Sequence, residues 1–304
     1  PILKSRQSSV VSRQSSVVSR QIKNHTSQIR NQTMGLKAGI VGLPNVGKST
    51  FFNKVLNKDL SPVSETPGTT KDLFIDNIIY KNRNFKLIDS GGLKRKGKSK
   101  SDEQQYITKE SLKAIYLADV ILFMIEADKE FTKTDKQICR LVLDKGKGLI
   151  FAINKIDLVD ELKAIKNEYI YYIKNLFSDA LLAEPFSICS LKLEFPKKIF
   201  DEVISIHSRL RKNYDNKDLN KALQEAINKN KIPVYSKFRP KIKYIKQVST
   251  RPIIFKIFGN QANKLSLDYQ KYLAKSLSKK FNIKGFKIFL KFVSAENPFK
   301  SKKY

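Results

Sequence analysis

Gly42-Leu43-Pro44-Asn45-Val46-Gly47-Lys48-Ser49-Thr50 follows the short apolar run Ala38–Val41 and opens the helical stretch Ser49–Leu56. It fits G-x-x-x-x-G-K-[ST] in the strand-then-helix setting that this pattern requires. Its glycines let successive backbone N–H groups turn inward around a β-phosphate. Lys48 has the reach for β- and γ-phosphates, and the Ser49 hydroxyl suits Mg2+. The helix N-terminus behind the loop adds a dipole that favours an anion. A strand feeding such a loop and helix predicts an α/β fold.

Three further segments follow at matching order and spacing. Asp89-Ser90-Gly91-Gly92 closes the apolar run Phe85–Ile88 and fits D-x-x-G, a carboxylate for a Mg2+-bound water and a glycine N–H for a γ-phosphate. Asn154-Lys155-Ile156-Asp157 follows Leu149–Ile153 and fits N-K-x-D. Its aspartate can accept from guanine N1 and N2, which adenine cannot satisfy. Pro67-Gly68-Thr69-Thr70 lies between the phosphate loop and Asp89, and Thr70 suits Mg2+ from a loop. The four together point to GTP or GDP with Mg2+, and Lys48, Thr70, Asp89, Gly92 and Asn45 are the candidate catalytic groups. Leu93 follows the D-x-x-G glycine, so no glutamine stands there to orient water. Asn45 occupies a position suited to holding K+ against the phosphates; the plainer reading is a loop-stabilising amide. Cys189-Ser190-Leu191 lies where S-A-x would face the guanine, but lacks the alanine.

Outward from these motifs, apolar runs and helical stretches alternate through residues 34–211, which predicts a P-loop GTPase-type domain, a mainly parallel sheet with helices on both faces. Leu73–Tyr80 and Asn84–Ile88 are close enough to form an antiparallel hairpin at its edge. Residues 212–217 (KNYDNK) read as a polar linker. Beyond it, over 218–295, the order helix, strand, strand, helix, strand predicts a small α+β domain with three strands and helices on one face. Residues 296–304 read as a tail.

The first 33 residues repeat SRQSSVV at Ser5–Val11 and Ser12–Val18 and hold six basic and no acidic residues. They resemble a transit segment or a disordered polycationic arm. The chain opens on Pro1, and Met34 also fits an internal start. Formal charge is +31, unevenly spread: residues 211–304 hold 24 basic against 5 acidic residues. That asymmetry points to a polyanion partner. Cys139 and Cys189 make no metal pattern, and with His25 and His207 the only histidines, a zinc or histidine-based mechanism is excluded. No apolar run reaches the length of a membrane span, so no membrane partner is expected.

The chain resembles the Der (EngA) family of ribosome-assembly GTPases from about Leu36 to Phe299, most closely that family's second G domain and the KH-like domain behind it. The resemblance rests on Leu87–Lys100 (LIDSGGLKRKGKSK), Val248–Phe255 (VSTRPIIF) and Asn297-Pro298-Phe299. It implies GTP hydrolysis coupled to large-subunit maturation, K+ stimulation through Asn45, and rRNA as partner; no DNA partner is expected and no oligomer implied. The family carries two G domains where this chain has one, so it is a fragment or a reduced relative, of a bacterial cytoplasm or an organellar matrix. The αββαβ segment has no G-x-x-G clamp. RNA contact then falls to Lys237, Arg239, Lys241, Lys243, Lys246, Arg251, Lys279, Lys280, Lys284, Lys287 and Lys291, or these lysines are a merely solvated face. Alternatives are a GTPase of tRNA modification, disfavoured by the basic αββαβ segment, and a non-catalytic GTP-binding rRNA scaffold. Met34–Phe51 also resembles Obg-like ATPases, against which the guanine element argues.

Overall fold

The structure, a computed structural model, describes residues 35–56, 73–90, 100–234 and 239–294, with side chains from residue 109 in the third range. Six strands form one sheet: β1 (Leu36–Val41), β2 (Phe74–Tyr80), β3 (Arg83–Asp89), β4 (Val120–Glu126), β5 (Gly148–Asn154) and β6 (Phe186–Ser187). Their order is β2-β3-β1-β4-β5-β6. All pairings are parallel except β2 with β3, the expected hairpin. Lys81 and Asn82 both take positive φ in its two-residue turn, which matches the right-handed twist of the strands.

Every residue of β4 (VILFMIE) and β5 (GLIFAIN) is buried, because helices cover both sheet faces. On one face lie α1 (Lys48–Leu56) and α5 (Lys197–Arg209), through Phe51, Phe52, Val55, Phe200, Val203 and Ile206. On the other lie α2 (Lys100–Leu117), α3 (Lys133–Asp144) and α4 (Leu162–Leu176), through Ile115, Ile138, Val142, Tyr169 and Ile173. Thr132 starts α3 with a capping box: its hydroxyl accepts from the Asp135 N–H, and the Asp135 carboxylate accepts from the Thr132 N–H. No described helix is long and apolar enough to cross a membrane.

The second unit runs α6 (Asn216–Lys229), β7 (Lys241–Thr250), β8 (Ile253–Asn260), α7 (Leu267–Lys280), β9 (Phe289–Ser294), in the expected αββαβ order. β8 is central, antiparallel to β7 and parallel to β9. Alternation along β8 sends Ile253, Phe255 and Ile257 into a core with Leu219, Leu223, Leu273 and Leu277 of the two helices. Asp215 and Ser266 cap those helices through their side-chain oxygens.

Residues 212–217 are not a free tether. Tyr214 is only 8% exposed, its ring 5.8 Å from Phe255 and 5.1 Å from Phe281. Its N–H donates to the Gln247 side chain, which in turn donates to the Lys212 carbonyl. One aromatic among polar neighbours decides this, since its burial outweighs the hydrophilic composition around it.

The two units share a seam at the N-terminal ends of β4 and β5. The Leu149 N–H donates to the Gly285 carbonyl at 2.7 Å, and the Gly285 N–H to the Leu181 carbonyl at 2.7 Å. Leu181 and Phe286 form an antiparallel bridge, and Arg209 donates to the Lys284 carbonyl. Gly285 has φ +95°, and a Cβ there would lie 2.4 Å from Ile206, so only glycine lets the chain pass this close.

Candidate nucleotide site

The phosphate loop leaves β1 at buried Gly42, passes half-buried Leu43 and exposed Pro44 and Asn45, and enters α1 at Lys48. Asn45 takes φ 63° and Gly47 φ 96°, the left-handed turns that aim successive amides inward. A Cβ on Gly47 would stand 2.2 Å from the Asn154 amide nitrogen, so the loop and the end of β5 meet only through glycine. The Phe51 N–H then donates to the Gly47 carbonyl, beginning the helix ladder.

Asn154 ties the loops together. Its Nδ2 donates to the Val46 carbonyl at 2.6 Å, while its Oδ1 accepts from both the N–H and the hydroxyl of Ser190 at 2.9 Å. The residue is buried, so all three bonds form out of water. Ser190, expected beside the guanine, is thus the outer end of a brace across two loops.

Lys48 is buried and its Nζ donates to the Leu43 carbonyl at 2.7 Å. Burial lowers its pKa, and the carboxylates of Asp89 and Glu110 oppose that shift. The Ser49 hydroxyl donates to Asp89 Oδ2 at 3.0 Å. Asp89 is buried at the end of β3, beside buried Ser90, whose N–H reaches the Ile40 carbonyl.

Lys155 takes φ 59° and turns its ammonium onto Glu126, at the end of β4. Ile156 opens a short 3-10 turn that presents Asp157 to solvent. The Asp157 carboxylate is held below its usual range, first by the Cys189 side chain that bonds to it and then by its own backbone N–H. A cavity of about 290 Å3 opens between these groups, with Asn45, Thr50, Asn154, Asp157, Cys189 and Ser190 on its walls.

Sequence reasoning missed Glu126. The signal was present: a carboxylate closing the apolar run VILFMI needs a partner when buried. Thr70, Gly91, Gly92 and Leu93, and Lys237 of the RNA set, lie outside the described residues.

The site fits the group its motifs imply. Left-handed amides, a desolvated lysine and a hydroxyl 3.0 Å from a carboxylate make a cradle for phosphates and a hard cation. Among the described residues no cluster of three or more His, Cys, Asp or Glu could hold a metal by itself.

The basic residues of the second unit divide in two. Arg239, Lys241, Lys243, Lys246, Lys279 and Lys291 are exposed, and Lys284 is half-buried. Lys280 pairs with Glu225 at 2.7 Å, and Arg251 lies 3.7 Å from Asp119. Lys287 departs from the expected RNA surface: its ammonium bridges Asp144 at 2.9 Å and Asp179 at 2.8 Å across the seam. Two carboxylates in a half-buried place outcompete a solvent-facing role for that lysine.

Residues 37–155 match the family described as 50S ribosome-binding GTPase, and residues 214–292 match the KH-domain-like region of EngA bacterial GTPase enzymes, C-terminal. Curated proteins named GTPase Der are similar along most of the chain. That of Syntrophotalea carbinolica is 29% identical over 84% of this chain and 58% of its own length. For Agathobacter rectalis the identity is 32% over 86% and 58%, and for Borreliella afzelii 33% over 80% and 55%. The chain spans somewhat more than half the length of these relatives. The chain thus joins a GTPase domain of the first of these families to a KH-like domain of the EngA type, and along both it is similar to the Der (EngA) GTPases.

Proposed function

We propose that this chain binds and hydrolyses GTP and serves assembly of the large ribosomal subunit, holding rRNA with its basic KH-like domain. The observation that carries the nucleotide reading is the Asn154 brace, which places the phosphate loop and the Asp157 carboxylate on one cavity. The family names above and the basic second unit support the ribosomal part.

In this reading the loop amides and Lys48 hold the β- and γ-phosphates, and Asp157 accepts from the guanine edge. Cys189 and Lys155 position that edge's loop, the first through its bond to Asp157, the second through Glu126. Ser49, with Thr70, would hold Mg2+, which supplies charge neutralisation on the phosphates when bound. Asp89 orients that ion's surroundings and already bonds the Ser49 hydroxyl. Gly92 would offer its N–H to the γ-phosphate, and Asn45, exposed at the cavity wall, would hold K+. Rate then depends on a cation in place of the water-orienting glutamine that Leu93 replaces. The compartment is a bacterial cytoplasm or an organellar matrix.

Calorimetry and turnover in K+ and in Na+ test the reading. The wild-type chain should bind GTP and reject ATP by at least about 10⁴, since a site that hydrogen-bonds a specific edge penalises its absence. Asp157→Asn should lose GTP and gain xanthosine triphosphate, whose oxygen meets the amide. Turnover should be faster in K+. Equal affinity for ATP would sink the assignment, and equal turnover in the two salts would remove the role given to Asn45.

A further inference from the structure

We propose that the open face of the β7–β8–β9 sheet is a stacking platform for single-stranded RNA, built on Tyr244 and Phe258. This rests on the reading of the second unit as RNA-binding and adds a mode of contact that phosphate attraction alone lacks.

Alternation fixes which residues face outward. Ile253, Phe255 and Ile257 of β8 are buried against α6 and α7, so Ile254, Lys256 and Phe258 point to the other side. Register then lays out rows across the three strands. Tyr244 stands opposite Phe258, which stands opposite Val293; one pair further along the strands stand Lys246, Lys256 and Lys291. The two rings are stacked, with centroids 4.5 Å apart and planes 14° from parallel. Tyr244 remains 45% exposed. Lys246 and Lys256 set their ammonium groups 5.5 and 5.6 Å from the Phe258 centroid.

Two features of this face disfavour a purely structural role. A sheet gains nothing from three like charges placed directly opposite one another, since such neighbours repel. A stacked aromatic pair contributes most when dry, yet this one is left at the surface. Both features suit an occupant that is anionic and flat. A base extends the ring column on the outer face of Tyr244, as every base has a π-face to offer. The lysine row, displaced by two residues or about 7 Å along the strands, reaches the phosphates that flank the base. Lys246 and Lys256 already lie beside the Phe258 ring, and the half-exposed Tyr244 ring is the one left to take a base.

The test uses the full chain and fluorescence anisotropy with an unstructured single-stranded oligoribonucleotide and a duplex RNA, at one salt concentration. Tyr244→Leu and Phe258→Leu keep apolar cover on the sheet, and GTP affinity on the same samples reports folding. The expected result is an approximately 10-fold or greater loss of single-strand affinity in Tyr244→Leu, with duplex affinity changed less than about twofold. Unchanged single-strand affinity in both variants overturns the platform and leaves the face to a protein contact. Equal losses on both RNAs also overturn it, in favour of phosphate attraction alone. Wild-type binding to duplex but not to single strand overturns the platform while the RNA reading stands; binding to neither removes that reading as well.

Discussion

Asn154 shows how one side chain can set the geometry of a site without touching the chemistry. Its amide has one acceptor oxygen and one donor nitrogen, and the site uses both, toward Ser190 and toward Val46. Truncation to alanine leaves the Val46 carbonyl and the Ser190 N–H and hydroxyl without these partners out of water, at about 1–3 kcal/mol each before relaxation. Asn154→Ala should therefore lower GTP affinity about 10- to 100-fold, measured by calorimetry, and lower the melting temperature as well. Asn154→Asp restores the acceptor toward Ser190 but turns a carboxylate on the Val46 carbonyl, and should be no better than alanine. Full affinity in Asn154→Ala would show that the loops hold their positions unaided. The motif N-K-x-D located this residue from the sequence, because its spacing to Asp157 is fixed by one turn of backbone. Its partner Ser190 was harder to place, since the segment Cys189–Leu191 lacks the pattern and only the fold brings it beside Asn154.

At the scale of elements, the seam between the two units holds a half-buried cluster of charges beside its backbone bonds. Lys287 and Asp179 are 21% and 15% exposed, and Arg140 also bonds Asp179, at 2.8 Å. Burial raises the Asp179 pKa, but Lys287 and Arg140 outweigh it and hold the carboxyl below its ordinary range. Burial likewise lowers the Lys287 pKa, and Asp179 and Asp144 outweigh it to leave the ammonium raised. The Asp179 contribution is then fully present above the unfolded carboxyl value of about 4 and is lost as pH falls through the lower folded value. The Lys287 contribution is fully present below the unfolded value of about 10.4 and is lost as pH rises through the higher folded one. Lys287→Met should cost about 2 kcal/mol in urea unfolding at pH 7, by leaving two carboxylates short of a partner. The deficit should shrink on acidification below about pH 4, as those carboxylates protonate. A deficit independent of pH would assign the loss instead to packing of the lysine on the Phe289 ring, whose centroid lies 5.6 Å from its ammonium. None of this was legible in advance. The strands of the first sheet were, because buried runs such as VILFMI have few alternatives, and so was α3, whose apolar positions recur at helical spacing. The seam is made largely of backbone groups at Leu149, Leu181 and Gly285, which leave no trace in side-chain pattern. Lys287 was one of 59 basic residues, and only its neighbours distinguish it.

For the whole molecule, the seam and the nucleotide cavity stand at opposite ends of one strand. Leu149 at the start of β5 bonds the second unit, and Asn154 at its end braces the phosphate loop. Five residue steps of a fully buried strand, about 17 Å, separate the two. A strand packed on both faces is a poor hinge, since close-packed interiors admit few intermediate arrangements. The basic surface of the second unit should then meet naked RNA in the same way whichever nucleotide occupies the cavity. On the proposed RNA reading, Arg239, Lys241, Lys243, Lys246, Lys279 and Lys291 are exposed candidate contacts, beside the ion-paired Arg251 and Lys280, once Lys287 is given to the seam. If about 5–7 phosphates are neutralised on duplex RNA, log K should fall against log[salt] with a slope of magnitude about 4–6. Lys279→Ala should lower that magnitude by about one. Filter binding on the full chain, with GDP and with a non-hydrolysable GTP analogue, should give the same slope and affinities within about twofold. A slope near zero would make the charge a solubility feature of the chain. A slope that changes with the nucleotide would mean that the cavity reaches the RNA surface by a route other than β5.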